Sequence, residues 1–418
     1  LFTYFSDDLK CHPHKQFSCK KCKTQKNYII QDLFENKISE IEINNRIINH
    51  NHPSFDNVEQ ILNYTYDIVP LGELAMSQIT DEFRQIFHDN ITLTQEVKPL
   101  LNNGINLFEK TCEIIENKNI DIVYAWNGRR ATEGPVLYAG KKKNIKYYSY
   151  ISGGDLNSYI IQPTFSTHDL VFAKKRTERF YNEVYLDKEK KNFYISEAKT
   201  FYDYMRYGGG KVWGYVYYKD LFDNSIPIEK KKNKKILTIF TSSYYEFYAL
   251  GKDFRIKNNE DINHYKTLDK IFESKKINDK FEIRVRWHPN LSTAGPEEIK
   301  TVNEIIEKSE DKIMHYSPFH KINSYKLLDM SDVVLSFGST VGIEATYYGK
   351  PSILWGVAYF EDTDGVYEVN SILELEKLLE EDLEPKPKAN AKKFAFHERR
   401  RGEYKYKYIK YDKNSKYF

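Results

Sequence analysis

Residues 331–356 constrain the fold more than any other part of the chain, because a strand, a tight turn and a helix follow one another there. The apolar run 332–337 has the β-branched and aromatic content of a buried parallel strand. It stops at residues 338–340 (Gly-Ser-Thr), a helical pattern follows until 349–351 (Gly-Lys-Pro), and 352–355 is the next predicted strand. Such a helix start directs unpaired backbone N–H groups at one point. The pattern predicts a phosphate site, and a nucleotide is the ligand that we expect there.

Length and composition are those of an ordinary globular protein. At 418 residues, the chain is longer than one hydrophobic core usually serves, so we expect two domains. Hydrophobic residues make up 40% and charged residues 29%, and a net charge of +3 gives no reason to expect nucleic acid as a partner. No apolar run approaches the ~20 residues of a membrane span. The 34 Tyr and 25 Phe residues fit either an A/T-rich coding bias or aromatic stacking on sugars.

Three of the four cysteines lie close together near the start of the chain. Cys19 and Cys22 have the two-residue gap of a zinc knuckle or a redox motif, and Cys11 precedes them. A nearby histidine or Cys112 could complete four ligands. A structural zinc, a disulfide and reduced thiols all remain open as interpretations.

The pattern of apolar residues divides the chain into a helical leading segment, two α/β halves and a tail. The domains that we expect are 1–228, including the helical leading segment 1–115, then 229–375 and the helical tail 376–418. Predicted strands lie at 120–126, 145–151 and 169–172 in the first domain and at 236–240, 281–287, 332–337 and 352–355 in the second. Alternating strands and helices predict parallel sheets covered on both faces. The expected fold class is therefore α/β, with two Rossmann-like doubly wound domains facing a cleft.

The tail mixes basic and aromatic residues, with Arg399–Arg401 followed by a series of tyrosines. Two interpretations remain open: a helix that packs back on the first domain, and weak attachment to an anionic membrane surface. We expect a cytoplasmic protein, either free or peripheral on the cytoplasmic face of the inner membrane.

Two features place phosphate-binding groups at strand ends of the second half. His288 and Pro289 close the predicted strand 281–287, so the imidazole should face the cleft and stabilise negative charge on a leaving phosphate. Ser339 and Thr340 offer hydroxyls at a helix start. The alternatives are a structural histidine and hydroxyls that merely cap the helix.

A second hydroxyl-rich turn follows the strand 236–240. Ser242 and Ser243 lie in this turn, and Glu246 follows it. Glu344, one helical turn after Thr340, could accept hydrogen bonds from a ribose or sugar hydroxyl, or simply favour the charge of the helix N-terminus. All these groups should meet at one edge of the second sheet.

Together these motifs resemble the nucleotide-binding half of GT-B-type glycosyltransferases, especially bacterial capsule and surface-polysaccharide enzymes of the polysialyltransferase and Kdo-transferase kind. The matching residues are His288-Pro289, then Gly338-Ser339-Thr340, then Glu344-Ala345 with Gly349-Lys350-Pro351. The resemblance is good over 235–355, loose over 120–172 and absent for roughly the first 110 residues. It implies inverting, metal-independent transfer of a sugar from a nucleotide-sugar donor to a surface glycan of capsule or lipopolysaccharide, with a lipid-linked acceptor as one option.

The resemblance also implies that no catalytic metal or cofactor is required. One Asp-x-Asp sequence, Asp362-Thr363-Asp364, could bind a divalent cation, although a solvated acidic turn is the alternative interpretation. It lies in a loop several residues beyond the predicted strand 352–355, and no Asp-x-Asp directly ends a predicted strand.

An inverting transfer needs a general base to deprotonate the acceptor hydroxyl. Related polysialyltransferases place an acidic pair before a glycine, and this chain has no clean copy of that pattern. Asp155 follows two glycines that permit close approach of a substrate, and Glu133 follows the turn after strand 120–126. We favour Asp155 over Glu133, with His168 third; the alternative for each is a solvated loop or capping residue.

The turn after the first strand carries candidate contacts to the acceptor or to a phosphate. Asn127, Arg129 and Arg130 lie in it, and an arginine binds a carboxylate or phosphate by paired hydrogen bonds. Surface salt bridges are the alternative interpretation for the arginines.

Three other functions remain open from the sequence. The chain could transfer a polyol phosphate, as teichoic-acid polymerases do, or epimerise a nucleotide sugar. It could also be a non-catalytic subunit that binds a glycan or a nucleotide.

Overall fold

The computed structural model describes residues 50–86, 90–154, 157–185, 187–208, 225, 234–255, 263–361, 363–402 and 404–407. Cys11, Cys19, Cys22, Asp155 and Asp362 lie outside the described residues, so the predictions made for them stay predictions.

The described elements follow one another in the order α1 (Val58–Leu62), α2 (Leu71–Phe83), α3 (Asn90–Asn117), β1 (Ile122–Trp126), α4 (Gly134–Lys142), β2 (Lys146–Ser152), β3 (Ser158–Gln162), α5 (Leu170–Tyr185), α6 (Lys188–Tyr207), β4 (Lys235–Phe240), α7 (Tyr244–Ala249), α8 (Lys252–Arg255), α9 (His264–Glu273), α10 (Lys275–Lys280), β5 (Phe281–Arg286), a 3₁₀ helix (Pro289–Thr293), α11 (Pro296–Ser309), β6 (Met314–Tyr316), α12 (Ser324–Met330), β7 (Val333–Ser336), α13 (Val341–Tyr347), β8 (Ser352–Trp355), β9 (Tyr367–Val369), α14 (Ile372–Glu380), α15 (Lys388–Arg400) and β10 (Tyr404–Lys405).

The first unit combines helices α1 to α4 with a four-stranded sheet in the order β1-β2-β3-β10. Apolar side chains of α2, α3 and α4 form one core with Val123 and Ala125, which point to the same face of β1. Only the β1–β2 pair is parallel, whereas β3 pairs with β2 and β10 pairs with β3 in antiparallel fashion. The prediction of a parallel sheet therefore holds for one pair of this sheet.

The predicted strand at residues 169–172 is wrong, because helix α5 begins there. The backbone N–H of Phe172 donates to the Asp169 carboxylate at 2.7 Å, so this aspartate caps the helix start. The third strand is Ser158–Gln162 instead, and it pairs with β2 after the turn that holds Gly153.

The second unit holds a six-stranded sheet in the order β6-β5-β4-β7-β8-β9, with every pair parallel. Strands β5, β7 and β8 are buried along their whole length, and β4 is buried from its second residue. Leu335 of β7 belongs to one hydrophobic core, and its neighbour Val334 belongs to another. Since neighbouring residues of a strand point to opposite faces, both faces of this sheet are covered.

Helix α15 lies against α5 and α6, and these three helices share one hydrophobic core with α13 and β8 of the second unit. The Tyr202 hydroxyl of α6 donates to the Ala391 carbonyl at 2.7 Å, and Phe394 and Phe396 are buried beside it. Strand β10 then joins the first sheet next to β3. The α/β, GT-B-like fold class is confirmed, but among the described residues a parallel sheet covered on both faces is found in the second unit and not in the first. Across the described residues, no helix combines the length and the apolar character that crossing a membrane requires.

Candidate functional site

Three turns meet at the carboxyl edge of the second sheet. They follow β4, β5 and β7, which are neighbours in the order β5-β4-β7. Because parallel strands end at the same edge, residues 241–243, His288 and residues 338–340 lie side by side there.

Hydrogen bonds between side chains and backbone join these turns. The backbone N–H of His288 donates to the Thr241 hydroxyl at 3.0 Å, and the Ser243 hydroxyl lies 3.3 Å from His288 Nδ1. The Ser242 hydroxyl donates to the carbonyl of Phe337, the residue before the third turn. Ser242 and Ser243 are buried, so they hold the turns together from within.

His288 is a neutral imidazole with a defined proton position. Its Nδ1 accepts the backbone N–H of Asn290 at 3.2 Å, so the ring proton is on Nε2. Burial, and secondarily the charge of Arg286, lower the pKa of His288 to about 4. Pro289 begins the 3₁₀ helix that follows, a position where a missing N–H costs nothing. The imidazole therefore offers a neutral N–H donor at the sheet edge.

Glu246 supports this arrangement from α7. The Asn290 side chain donates to its Oε1 at 3.0 Å, and burial raises the pKa of the Glu246 carboxyl. Glu246 thus orients the residue whose backbone fixes the His288 ring. Asn290 was not anticipated from the sequence, since its side chain contacts a residue of α7 that lies 44 positions earlier.

The turn at Gly338 has a backbone that only glycine fits. Its φ is +79°, and a Cβ there would lie 2.5 Å from a ring carbon of Phe247 and 2.7 Å from the carbonyl oxygen of Val357. Ser339 and Thr340 are half-buried beside it, and the Thr340 hydroxyl makes no capping bond to α13.

Glu344 lies beneath this turn rather than at its surface. Glu344 is only 1% exposed, and its Oε2 accepts a hydrogen bond from the Tyr325 hydroxyl. Burial raises the pKa of its carboxyl, whereas hydrogen bonds from Tyr325 and Thr340 lower it. The structure therefore places Glu344 as a support of the Thr340 turn.

On the first unit, Glu133 lies at the start of α4. Burial raises the pKa of its carboxyl to about 7, against the opposing charges of Arg130 and Arg129. The backbone N–H of Gly128 donates to Glu133 Oε2 at 3.3 Å. A half-buried carboxyl that titrates near neutral pH suits a general base.

Asn127, Arg129 and Arg130 take part in contacts within the protein. Arg129 donates to the carbonyl of Ala249 in α7 at 3.0 Å, and it contacts Asp81 of α2 at 3.1 Å. Arg130 also pairs with Asp81. Asn127 has a φ of +58° and is buried, with its side chain accepting from a threonine hydroxyl. Arg129 thus joins the first unit to the second.

The contact of His168 with Tyr359 is a second link between the units. The distance between His168 Nδ1 and the Tyr359 hydroxyl oxygen is 2.6 Å. Tyr359 follows β8, two residues after Val357, whose carbonyl crowds Gly338. Burial and nearby arginines lower the pKa of His168 to about 3, so its ring is neutral. Tyr359 was missed in the sequence, although its place after a strand of the second sheet is a usable signal.

Among the described residues, no group of three or more His, Cys, Asp and Glu side chains is arranged to hold a metal ion. Asp364 of the Asp-x-Asp sequence pairs with Lys386 at 2.9 Å. The possible zinc at the cysteines near the start of the chain is outside this region and stays a prediction.

Two α/β units, with hydroxyl and imidazole groups at the carboxyl edge of the second sheet, define a GT-B-like protein. Residues 154–389, more than half of the chain, match the family described as capsule polysaccharide biosynthesis protein. The chain belongs to this family, which confirms the resemblance to capsule-synthesis glycosyltransferases.

Solved structures show more distant similarities. The KpsC β-Kdo 2,4-transferase of Thermosulfurimonas dismutans is 14% identical, with 67% of this chain and 80% of that chain covered and a TM-score of 0.39. A UDP-GlcNAc 2-epimerase of Neisseria meningitidis is also 14% identical, with 71% and 80% covered and a TM-score of 0.29. Comparison with curated proteins finds no match.

Substitution of Gly338 by alanine tests the close approach at the third turn. Gly338→Ala combines a strained φ with a clash against Phe247 and Val357. Gly349→Ala is the matched control, because Gly349 has the same φ of +79° with nothing within 4 Å of its Cβ position.

We expect the control to lose roughly 1–2 kcal/mol of unfolding free energy from backbone strain alone. The Gly338→Ala protein should lose measurably more, and its nucleotide affinity should fall in addition. Denaturant unfolding and nucleotide titration measure both quantities. Equal stability and equal affinity in the two variants would contradict the described turn.

Proposed function

We propose that the protein is an inverting, metal-independent glycosyltransferase that moves a sugar from a nucleotide-sugar donor to a bacterial surface glycan. The observation that carries the proposal is the set of hydrogen-bonded turns at the edge of the second sheet, which leaves His288 Nε2–H as a neutral donor. Membership of the capsule polysaccharide biosynthesis family supports the substrate class.

In this proposal, the donor phosphate binds at the three turns. His288 Nε2–H, the hydroxyls of Ser339 and Thr340 and nearby backbone N–H groups donate hydrogen bonds to its oxygens. As the bond between the sugar and the phosphate breaks, negative charge grows on the leaving group, and fixed donors stabilise it without reorganisation. Ser242, Ser243, Glu246 and Glu344 hold these groups in place.

Glu133 is the general base that the described structure favours. It would take the proton of the acceptor hydroxyl while that oxygen attacks the anomeric carbon from the face opposite the leaving phosphate, which inverts the configuration. Its pKa of about 7 lets it accept a proton at neutral pH. Asp155, outside the described residues, remains the other candidate base.

Product analysis separates this proposal from its alternatives. A glycosidic bond supports it, whereas a phosphodiester bond would identify a polyol-phosphate transferase. Consumption of donor without acceptor would identify an epimerase, and nucleotide binding without turnover a non-catalytic subunit. A nucleotide-sugar donor and a lipid-linked acceptor would place the reaction at the cytoplasmic face of the inner membrane.

The donor class can be found by thermal shift with CMP, CDP, UDP and GDP. A nucleotide that binds only the folded chain raises the unfolding midpoint, so the largest rise indicates the donor to be used in activity assays.

Substitution of His288 by asparagine tests the Nε2–H donor. Asparagine is a good cap, so His288→Asn should keep the Asn290 N–H satisfied and the unfolding midpoint close to wild type. Loss of one such donor typically lowers kcat by about 10²–10³-fold, and we expect that range here. His320→Asn is the matched control, since His320 Nδ1 also accepts a backbone N–H two residues later, at 3.0 Å. Wild-type turnover in a well-folded His288→Asn protein would contradict the proposal.

The pH dependence of kcat/KM tests Glu133 as base. Its raised pKa means that the rate should increase with pH and level off above about 7, while neutral His288 adds no change in that range. Glu133→Gln should lower activity by about 10²–10⁴-fold and remove this dependence. Asp155→Asn is the parallel variant, and it should keep the wild-type profile.

The raised pKa of Glu133 also predicts how the stability of the Glu133→Gln variant compares with wild type, which shows whether the variant is folded. The folded chain holds the Glu133 proton more tightly than the unfolded chain, so wild-type stability falls as pH rises from the ordinary glutamate value through about 7. Glu133→Gln removes this penalty and should be at least as stable as wild type at pH 8. Full activity in Glu133→Gln with loss in Asp155→Asn would transfer the role to Asp155.

A further inference from the structure

One face of the first sheet carries aromatic side chains where a solvated strand would carry polar ones. On β1, Val123 and Ala125 are buried against the core, and the alternate residues point to the opposite face. There Ile122, Tyr124 and Trp126 are 38%, 41% and 39% exposed within the described structure. Large apolar side chains exposed at alternate positions of one strand form a patch, and such a patch marks a binding surface more often than a solvated one.

The row continues across the sheet in register. Tyr124 stands opposite Tyr148 of β2, with ring centroids 5.5 Å apart and planes at 21°. Trp126 stands opposite Tyr150, with centroids 5.3 Å apart. On the other side, the Tyr159 ring of β3 lies 4.9 Å from that of Tyr406. We call these six side chains the aromatic face.

The aromatic face ends at the candidate base. Trp126 is the last residue of β1, and the backbone N–H of the next residue, Asn127, donates to the Tyr150 carbonyl at 2.9 Å. The Glu133 carboxyl is close enough to contribute to the raised pKa of Tyr150. A ligand lying along the face would therefore reach the carboxyl edge of the first sheet near Glu133, where the proposed function has the acceptor hydroxyl deprotonated.

The chemistry of the face favours sugar rings over aliphatic groups. Tyrosine and tryptophan combine an apolar ring with a polar tip. Because Tyr124 and Tyr148 stack on each other, they offer a ligand ring edges and hydroxyls, which suit the C–H groups and hydroxyls of a pyranose. Rings on adjacent strands lie about one strand spacing apart, ~4.8 Å, which is comparable to one sugar unit of a chain. The six side chains include no carboxylate, and Lys146 lies exposed beside them opposite Ile122, so the face also accepts an acidic glycan.

We propose that the aromatic face is the binding track for the glycan acceptor, holding several sugar units while the end of the glycan reaches the Glu133 carboxyl. This inference rests on the proposed function and assigns the acceptor a location. Affinity should therefore grow with the length of the oligosaccharide, and it should not depend on the nucleotide site.

Oligosaccharide binding to the full chain tests the track. The probes are an α2,8-linked sialic acid hexamer and chitohexaose, each compared with its dimer, with Trp126 fluorescence as the readout and Trp126→Phe as the blank. We expect at least one hexamer to bind at least tenfold more tightly than its dimer. Tyr124→Ala and Tyr148→Ala should each weaken that binding at least tenfold, and Tyr124→Phe should restore it.

Tyr207→Ala is the matched control, because Tyr207 is 63% exposed at the end of α6 and should leave binding unchanged. The nucleotide-induced rise in unfolding midpoint should persist in Tyr124→Ala, so failure of the track and failure of the proposed function are distinguishable. Glycan binding by a protein that binds no nucleotide would support the track and contradict the function.

Three results would overturn the track. The first is that neither hexamer binds, or that binding is equal in wild type and both tyrosine-to-alanine variants. The second is that acrylamide does not quench Trp126 in the free protein, which would show that another segment or a second copy covers the face. The third is that anionic vesicles, rather than oligosaccharides, compete for Trp126 in wild type but not in Tyr124→Ala.

Discussion

The hydrogen bonds among the loops after β5, β4 and β7 are the interaction on which the candidate site depends. Parallel strands bring these loops to one edge, but they do not set the distances between them. These distances are set by contacts between the loops, made by the Thr241 hydroxyl, the Ser242 hydroxyl and the His288 ring. The polar side chains that are buried here position the groups that remain available to a ligand. A donor fixed in this way needs no rearrangement when charge develops on a phosphate.

Polar contacts join the two units. Arg129 of the first unit bonds to Ala249 of the second, and His168 meets Tyr359 across the same boundary. Helix α15 and strand β10 bring the end of the chain back to α6 and β3. Glu133 and His288 therefore stand on two sheets whose relative placement is held by several polar contacts. Inside a protein, where the dielectric constant is low, such polar contacts are stronger than in water. Losing one partner leaves the other without a hydrogen bond.

Much of the second sheet could be predicted from the sequence. Buried parallel strands are continuous apolar runs, so the prediction for 352–355 matches β8, and that for 236–240 differs from β4 by one residue. The first sheet was harder. Asp169 caps a helix, yet the apolar residues after it resemble a strand. The short β3 does carry a local signal, an aromatic and β-branched run between Gly154 and Pro163. The run after Asp169 shows that such short apolar runs do not by themselves distinguish a strand from a helix.

In the candidate site, too, sequence patterns predict only some of the residues. Strand-end position identified His288 and the Gly338 turn, because it follows from topology alone. The structure shows Glu344 bonded to Tyr325 beneath a turn, and the Asn290 side chain bonded to Glu246 of α7; both contacts join residues of separate elements. The bond by which Asn290 fixes the His288 tautomer is local, since it joins residues two apart. Asp155 and the cysteines near the start of the chain stay predictions.

The central claim is that His288 is a neutral imidazole that donates through Nε2 to a phosphate. Nitrogen-15 NMR of histidine-labelled protein measures this directly, with His288→Asn used for assignment. We expect a neutral ring protonated on Nε2 between pH 5.5 and 8, because the pKa of His288 is about 4. The Nε2 resonance should shift when the stabilising nucleotide is added. A ring that is protonated on Nδ1, or an Nε2 resonance unchanged at saturating nucleotide, would contradict it.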